Sequence, residues 1–318
     1  MINKINSKDY IYEVLSNSLK VFPIKFIGLI CGFIISIFLG RVLGPYGLGL
    51  ITLATQISNI LITICLLGIP VVVLKETSIG KSNNDWQHVN SILFTSLSLV
   101  FITGVLLSFI YILIEPVIIG YIFKDDNLRY PLLLAIISII PFSLKNIYKS
   151  AINGYEKIWQ SSLGDETIRL LFVAIILIIL HYLSYDITVI HIAILYLVSK
   201  FLESLIIGLY WYSIRIKSEK SIFIPKTIFK VSLPLLMAGS INVLSVNIDT
   251  IMLGSMLTAK DVGLYSVAIR IAYISSIFLM ITGQSISPKI SQMYQKGEIN
   301  KLENLIQNIT GYLIITAI

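Results

Sequence analysis

Charge is what this chain has least of. Only 13% of its 318 residues are Asp, Glu, Lys or Arg, whereas 56% are hydrophobic and the mean hydropathy is +0.88. A soluble domain carries about 25% charged residues, so a soluble globular enzyme is excluded. Cysteine is nearly absent. Cys31 and Cys65 sit inside apolar runs with no C-x-x-C spacing, which argues for buried filler and against a disulfide or a thiolate metal site. Histidine is as scarce, and His88, His181 and His191 share neither metal-ligand spacing nor an H-E-x-x-H motif. No Ser/His/Asp arrangement can be argued from spacing. The expectation is a protein that is not an enzyme and holds no metal and no cofactor. The net charge of +7 does not point to nucleic acid, because the basic residues fall into short loops and form no basic block. Gly80-Lys81-Ser82 lacks the upstream glycine of a phosphate loop.

Long apolar runs are what the chain has instead. A window of membrane-span length, about 20 residues, gives Val21–Leu39, Leu48–Leu67 (with an extension to Leu74), Ser91–Leu113, Tyr130–Ile147, Ile168–Leu183, Val189–Ser213, Val231–Ser255, Gly263–Ile286 and Leu305–Ile318. Pro141 and Lys145 interrupt the fourth, and Glu115 to Phe123 is too short to cross and reads as interfacial. The first run is too long for a signal-peptide core and is followed by bulky Arg41-Val42-Leu43, so it reads as a span. The expected fold is all-α, a polytopic membrane helix bundle.

Positive charge orients it. With the N-terminus inside, 17 of the 24 Lys and Arg fall on the cytoplasmic side, Lys75, Lys81, Lys145, Lys149, Lys157, Arg169 and Arg215 among them. Only 4 fall outside (Arg41, Lys124, Arg129 and Lys260), and Lys25, Lys200 and Arg270 lie within spans. The positive-inside rule therefore puts the N-terminus in the cytoplasm. The last run, Leu305–Ile318, is short of a full crossing. A helix ending in mid-bilayer leaves its terminal carbonyls in hydrocarbon, so a longer parent chain is expected.

One stretch matches another without gaps. Leu39-Gly40-Arg41-Val42-Leu43 lies over Leu253-Gly254-Ser255-Met256-Leu257, a shift of 214 positions. At that shift Gly49 meets Gly263, Leu50 meets Leu264, Ala54 meets Ala268 and Ile57 meets Ile271. Apolar chains also produce such identities by chance, but both copies place a turn between two spans on the same side. Six spans separate the copies, so the halves are parallel in topology, an arrangement found in transporters with the substrate site between the halves. The organisation read from this is a six-span lobe over residues 1–213, a cytoplasmic linker over 214–230, and over 231–318 the first part of an incomplete second lobe.

The stretch Leu39-Gly40-Arg41-Val42-Leu43-Gly44-Pro45-Tyr46-Gly47-Leu48-Gly49 resembles the first hairpin of polysaccharide flippases of the Wzx type, within the multidrug/oligosaccharidyl-lipid/polysaccharide exporter superfamily. Asp249-Thr250-Ile251-Met252-Leu253-Gly254, followed by Val262-Gly263-Leu264-Tyr265-Ser266-Val267-Ala268-Ile269-Arg270, is similar to its seventh and eighth spans, and Ile286-Ser287-Pro288-Lys289-Ile290 to the cytoplasmic turn after them. The resemblance implies two six-span lobes around a central cavity and alternating access. The implied cargo is an undecaprenyl-pyrophosphate-linked oligosaccharide, moved from the inner to the outer leaflet of a bacterial inner membrane. Lipopolysaccharide O-antigen or capsule assembly is the implied setting, with membrane lipid and other polysaccharide assembly proteins as partners. The chain departs from the family by stopping in what would be the ninth span.

Ionisable and polar residues at bilayer depth are the candidates for the site, since a charge there costs at least about 2.5–3.5 kcal/mol. Arg270 and Asp249 flank the turn near Ala259 at similar depth. Arg270 either offers a forked donor to pyrophosphate or an anionic sugar, or forms a structural pair with Asp249. Asp249 shares a helical face with Asn242 and Ser245, and serves either ion coupling or helix–helix association. Lys25, beside Pro23, is placed by the resemblance at a cytoplasm-facing contact with the lipid pyrophosphate, though a lysine there can also snorkel to the interface. Lys200 and Glu203, one turn apart in the sixth span, neutralise each other or couple an ion. Gln56 is the repeat partner of Arg270, and with Asn59 it either hydrogen-bonds sugar hydroxyls or packs between helices. The alternatives to the flippase are a cation-coupled multidrug exporter of the same superfamily and a membrane-embedded glycan polymerase or ligase.

Overall fold

A computed structural model describes residues 7–164, 167–217 and 221–272, with side chains from Pro23 onward except at position 238. No strand occurs among the described residues. The chain divides into two compact units, Met1–Gly263 and Leu264–Ile318. The first carries α1 (Ser7–Val42), α2 (Gly44–Leu66), α3 (Ile69–Ser82), α4 (Trp86–Val117), α5 (Arg129–Ile137), α6 (Ile139–Gly154), α7 (Ile158–Leu163), α8 (Thr167–Tyr182), α9 (Val189–Ile214) and α10 (Pro225–Met256). Residues 259–263 begin a further helix, α11; of the second unit, residues 264–272 are helical. The runs expected over 273–318, the ninth span included, lie outside the described residues.

Among the described residues, five helical stretches are long and apolar enough to cross a membrane: Pro23–Val42, Gly44–Leu66, Trp86–Phe123, Asp126–Gly154 and Val189–Ile214. A sixth, bent by 44° between Met237 and Gly239, runs from Pro225 to Met256. Pro234 lies inside it, and a proline ring removes a backbone bond and crowds the preceding turn. The protein is thus a multi-pass membrane protein. Its large apolar side chains face outward as readily as inward, as with Phe109, Leu113, Ile178 and Leu209. That is the pattern of helices solvated by lipid.

Where the sequence-based boundaries fail, the cause is local. The break in the fourth span falls at Ser138, before Pro141. Pro141 sits in the first turn of α6, where its missing N–H is not needed. Glu115 to Phe123 is no separate interfacial segment. It extends α4 past Pro116 through a wide π-type turn over Ile118–Phe123, and Glu115 then reaches Arg129 Nε at 2.7 Å. The linker is shorter than expected, because α10 reaches back to Pro225. Residues on either side of 218–220 are tied to α4: Asn90 Nδ2 donates to the Ile216 carbonyl at 2.9 Å, Ser91 Oγ accepts from Ile222 N at 2.9 Å, and Thr95 Oγ1 accepts from Ile224 N at 3.1 Å.

Two sets of contacts build the first unit. One core joins α2 to α6 and α9 through residues such as Ile69, Val73, Ile92, Ile136, Ile147 and Trp211. A smaller one seats Ile35 and Leu39 of α1 against Val173 and Leu177 of α8. The second span's extension to Leu74 resolves into two helices, because Leu67 (φ 50°) and Gly68 (φ 73°) are both left-handed. A Cβ on Gly68 would fall on the Ser232 carbonyl oxygen and lie 2.8 Å from Leu236 N. Gly68→Ala is therefore expected to destabilise the fold by more than about 1 kcal/mol, read as a lowered melting temperature in detergent; an unchanged melting temperature would refute the close approach of α3 to α10.

Candidate functional site

Among the described residues, the polar side chains singled out in the sequence gather chiefly in two places. The first is the seam between α2 and α10. Asn59 Nδ2 donates to Gln56 Oε1 at 3.1 Å and reaches Asn247 Oδ1 at 3.5 Å, and Asn247 Nδ2 donates to the Val243 carbonyl at 2.6 Å. Asn247 and Thr250 are 5% and 2% exposed, whereas Asn242, Ser245 and Asp249 lie on the exposed side of the same helix. Thus Gln56 and Asn59 do meet, and the residue that joins them is Asn247. Asn247, Thr250 and Gly254 are spaced i, i+3, i+7, the rule that picked out Asn242, Ser245 and Asp249 one stripe round. The signal was in the sequence and pointed to both faces.

The second place is the interior of the first unit. Lys200 and Glu203 face inward at 5% and 0% exposed, and Lys145 joins them at 1%. The Lys145 ammonium donates to the Gly164 carbonyl at 2.8 Å, lies 3.6 Å from Glu203 Oε2, and stands 4.1 Å from the centroid of the Phe142 ring. Lys200 donates to Ser138 Oγ at 2.9 Å and approaches the same ring at 5.3 Å. Arg169 is also buried, 6.0 Å from the Tyr196 ring. The orientation count places Lys145 and Arg169 on the cytoplasmic side, at the ends of the fourth and fifth spans; the structure shows both to be buried. α6 runs on to Gly154, which leaves Lys145 mid-helix. From there its ammonium meets the carbonyl end of α7, where the helix dipole favours a cation.

Lys25 lies exposed on α1, and Arg270 is half-buried on the helical residues 264–272. The histidines have structural work: His191 closes a capping box with Thr188, His88 Nε2 lies 2.9 Å from Glu76, and His181 packs edge-on against Phe38. Cys65 is buried, its Sγ 3.4 Å from the Val100 carbonyl, and both cysteines are free.

At the end of the bundle that carries the α1–α2 turn, Tyr46 donates its hydroxyl to Asp125 at 2.8 Å and accepts from Asn127 Nδ2 at 3.0 Å. The α10–α11 turn is closed by its own cap. Thr258 donates from Oγ1 (2.6 Å) and from its backbone N (3.0 Å) to Asp261 Oδ2. The Thr258 hydroxyl, with the backbone bonds behind it, holds the Asp261 carboxyl below the usual carboxylate range. Between the two turns, a Cβ on Gly49 would fall on the Ala259 carbonyl oxygen and 3.0 Å from Gly263 N; a Cβ on Gly263 would fall on the Pro45 carbonyl oxygen and 3.2 Å from Gly49 N.

Comparison with known proteins agrees with this architecture. The family described as "Polysaccharide biosynthesis protein" matches residues 14–294. The chain belongs to that family. Stage V sporulation protein B of Bacillus subtilis (strain 168) is 23% identical over 148 residues, which is 45% of this chain and 28% of that protein. An inward-facing multidrug resistance MATE family transporter of the MOP superfamily superposes with a TM-score of 0.69 at 16% identity, over 87% of this chain and 64% of that one. The MATE multidrug transporter DinF-BH gives a TM-score of 0.68 at 13% identity, over 99% and 72%. The chain thus spans less than two thirds of the sporulation protein and of the first of these transporters. The polysaccharide biosynthesis family member therefore has the helix-bundle fold of the MOP superfamily, as the first-hairpin motif led one to expect.

Two outcomes follow from the geometry. Removing one partner of the buried pair leaves a charge without its counter-charge, at a cost of about 3–5 kcal/mol. Lys145→Met and Glu203→Gln should each lower the yield of folded protein, and the double variant should lose less than the sum; additive losses would show that the two do not act together. For the turn, a carboxyl held below its unfolded value stabilises above that value and loses the contribution as pH falls through its folded value. Asp261→Asn should therefore increase amide exchange of α11 at neutral pH and match the parent once the carboxyl is protonated in acid; a difference that persists there contradicts the cap.

Proposed function

We propose that the protein is a flippase for lipid-linked oligosaccharides in the bacterial cytoplasmic membrane, working by alternating access with its N-terminus inside. The observation that supports this most is the family match over residues 14–294, in a chain with a transporter-like helix bundle. In this reading Gln56 and Asn59, with Asn247, line the path and hydrogen-bond sugar hydroxyls. Arg270 receives the pyrophosphate with Asp249 as its resting partner, and Lys25 makes the cytoplasm-facing contact with the lipid headgroup. The Lys145–Glu203–Lys200 cluster is held as structure within the first lobe. The cargo belongs to O-antigen, capsule or a similar repeat-unit polymer.

Cells lacking the full-length gene should accumulate undecaprenyl-pyrophosphate-linked repeat units on the inner leaflet, scored by mass and by accessibility in spheroplasts. Normal glycan export with new sensitivity to cationic drugs would instead support the multidrug exporter, which the likeness to two multidrug transporters keeps in view. Within the flippase reading, Arg270→Ala should abolish export at normal protein abundance, whereas a structural pair would make Asp249→Asn with Arg270→Gln better tolerated than either change alone. Loss of abundance in Arg270→Ala would make that residue structural.

A further inference from the structure

The repeat and the packing meet at one point. Pro45 and Ala259 are related by the same shift of 214 positions that relates Gly49 to Gly263. The contact between them is reciprocal: the carbonyl of Ala259 occupies the place of a Gly49 Cβ, and the carbonyl of Pro45 occupies the place of a Gly263 Cβ. Each residue meets the repeat partner of the residue that meets its own partner, the signature of a two-fold contact. Two parallel halves have one such axis, along the membrane normal.

The two turns are anchored separately. The α1–α2 turn is tied to the α4–α5 connection through Tyr46, Asp125 and Asn127, and the α10–α11 turn is closed on itself through Thr258 and Asp261. Directly along the seam, Leu53 lies in the space a Gly254 Cβ would need, and Asn59 reaches Asn247. While the glycines touch, Asn247 and Thr250 stay buried.

We propose that Gly49 and Gly263 are the outer gate of the transport path, closing it backbone against backbone in this structure and parting when the path opens outward. The gate takes its side of the membrane from the orientation proposed above but holds for any cargo. A contact with no side chain between its partners seals against water and ions, and it parts without moving any side chain out of the way. Any Cβ at either position would wedge it open.

The test uses the full-length protein in cells, with Cys31 and Cys65 replaced and Asn247→Cys labelled from outside by an impermeant maleimide. Gly49→Ala should raise the labelling rate about tenfold by shifting the population toward the open state. Gly263→Ala should do the same, and the double variant should do no more than either. Gly40→Ala, whose Cβ would meet only the Leu48 side chain at 3.7 Å, should leave the rate unchanged. Unchanged labelling in both gate variants at normal abundance overturns the gate, as does an additive double variant. A Lys124→Cys variant run alongside separates the failures: if it labels only after lysis, the orientation is wrong, and if it labels from outside while Asn247→Cys stays closed, the gate alone is wrong. A further pair keeps both glycines. Tyr46→Cys and Lys260→Cys lie at exposed, repeat-related positions on the two turns, and bridging them with a bismaleimide should stop outward labelling at position 247; labelling that continues overturns the proposal.

Discussion

At Gly49, Gly68 and Gly263 another stretch of backbone stands where a Cβ would be, so α2 and α3 run against α10 and the turn after it with no side chain between them. Lipid offers no hydrophobic drive for two apolar helices to associate, and close approach of backbones through small residues is what holds them. Such contacts tolerate little change. They fix the register of α2 on α10 and thereby bring Gln56, Asn59 and Asn247 to one level. They also leave the wider exposed face of α10, with Asn242, Ser245 and Asp249, turned away from the seam.

The buried charges obey a different constraint. Lys145, Lys200 and Glu203 are deep in a bundle whose surroundings cannot hydrate them, and each is met by oxygen, a ring or an opposite charge. The α5–α6 break at Ser138 and the carbonyl end of α7 at Gly164 supply backbone and hydroxyl oxygens where an unbroken helix would have none to give. Broken helices are therefore the means by which this first unit accommodates ammonium groups, consistent with the rule that irregular backbone at depth occurs only inside protein.

Much of this could be read from the sequence, for identifiable reasons. The spans were legible because a chain that must satisfy its backbone in lipid has few options. Val189–Ser213 against the observed Val189–Ile214 shows how narrow the error is when a Thr188 cap marks the start. The shift of 214 positions pairs Gly49 with Gly263, and their reciprocal packing gives a physical reason for glycine at both. Lys145 reads in the sequence only as an interruption of the fourth span, because Gly164 and Glu203, which meet its ammonium, lie 19 and 58 positions away in the chain. Asn247 carries no charge to mark it, whereas the acidic Asp249 singles out the other stripe of the same helix.

The most direct measurement of the account is the distance between spin labels at Tyr46→Cys and Lys260→Cys in the full-length protein in lipid, with and without a polyprenyl-pyrophosphate-linked saccharide. Two populations are predicted, a short distance with the glycine contact made and a longer one with it parted, in proportions that the saccharide changes. A single short distance under every condition would make the glycine contact a fixed seam and contradict the account.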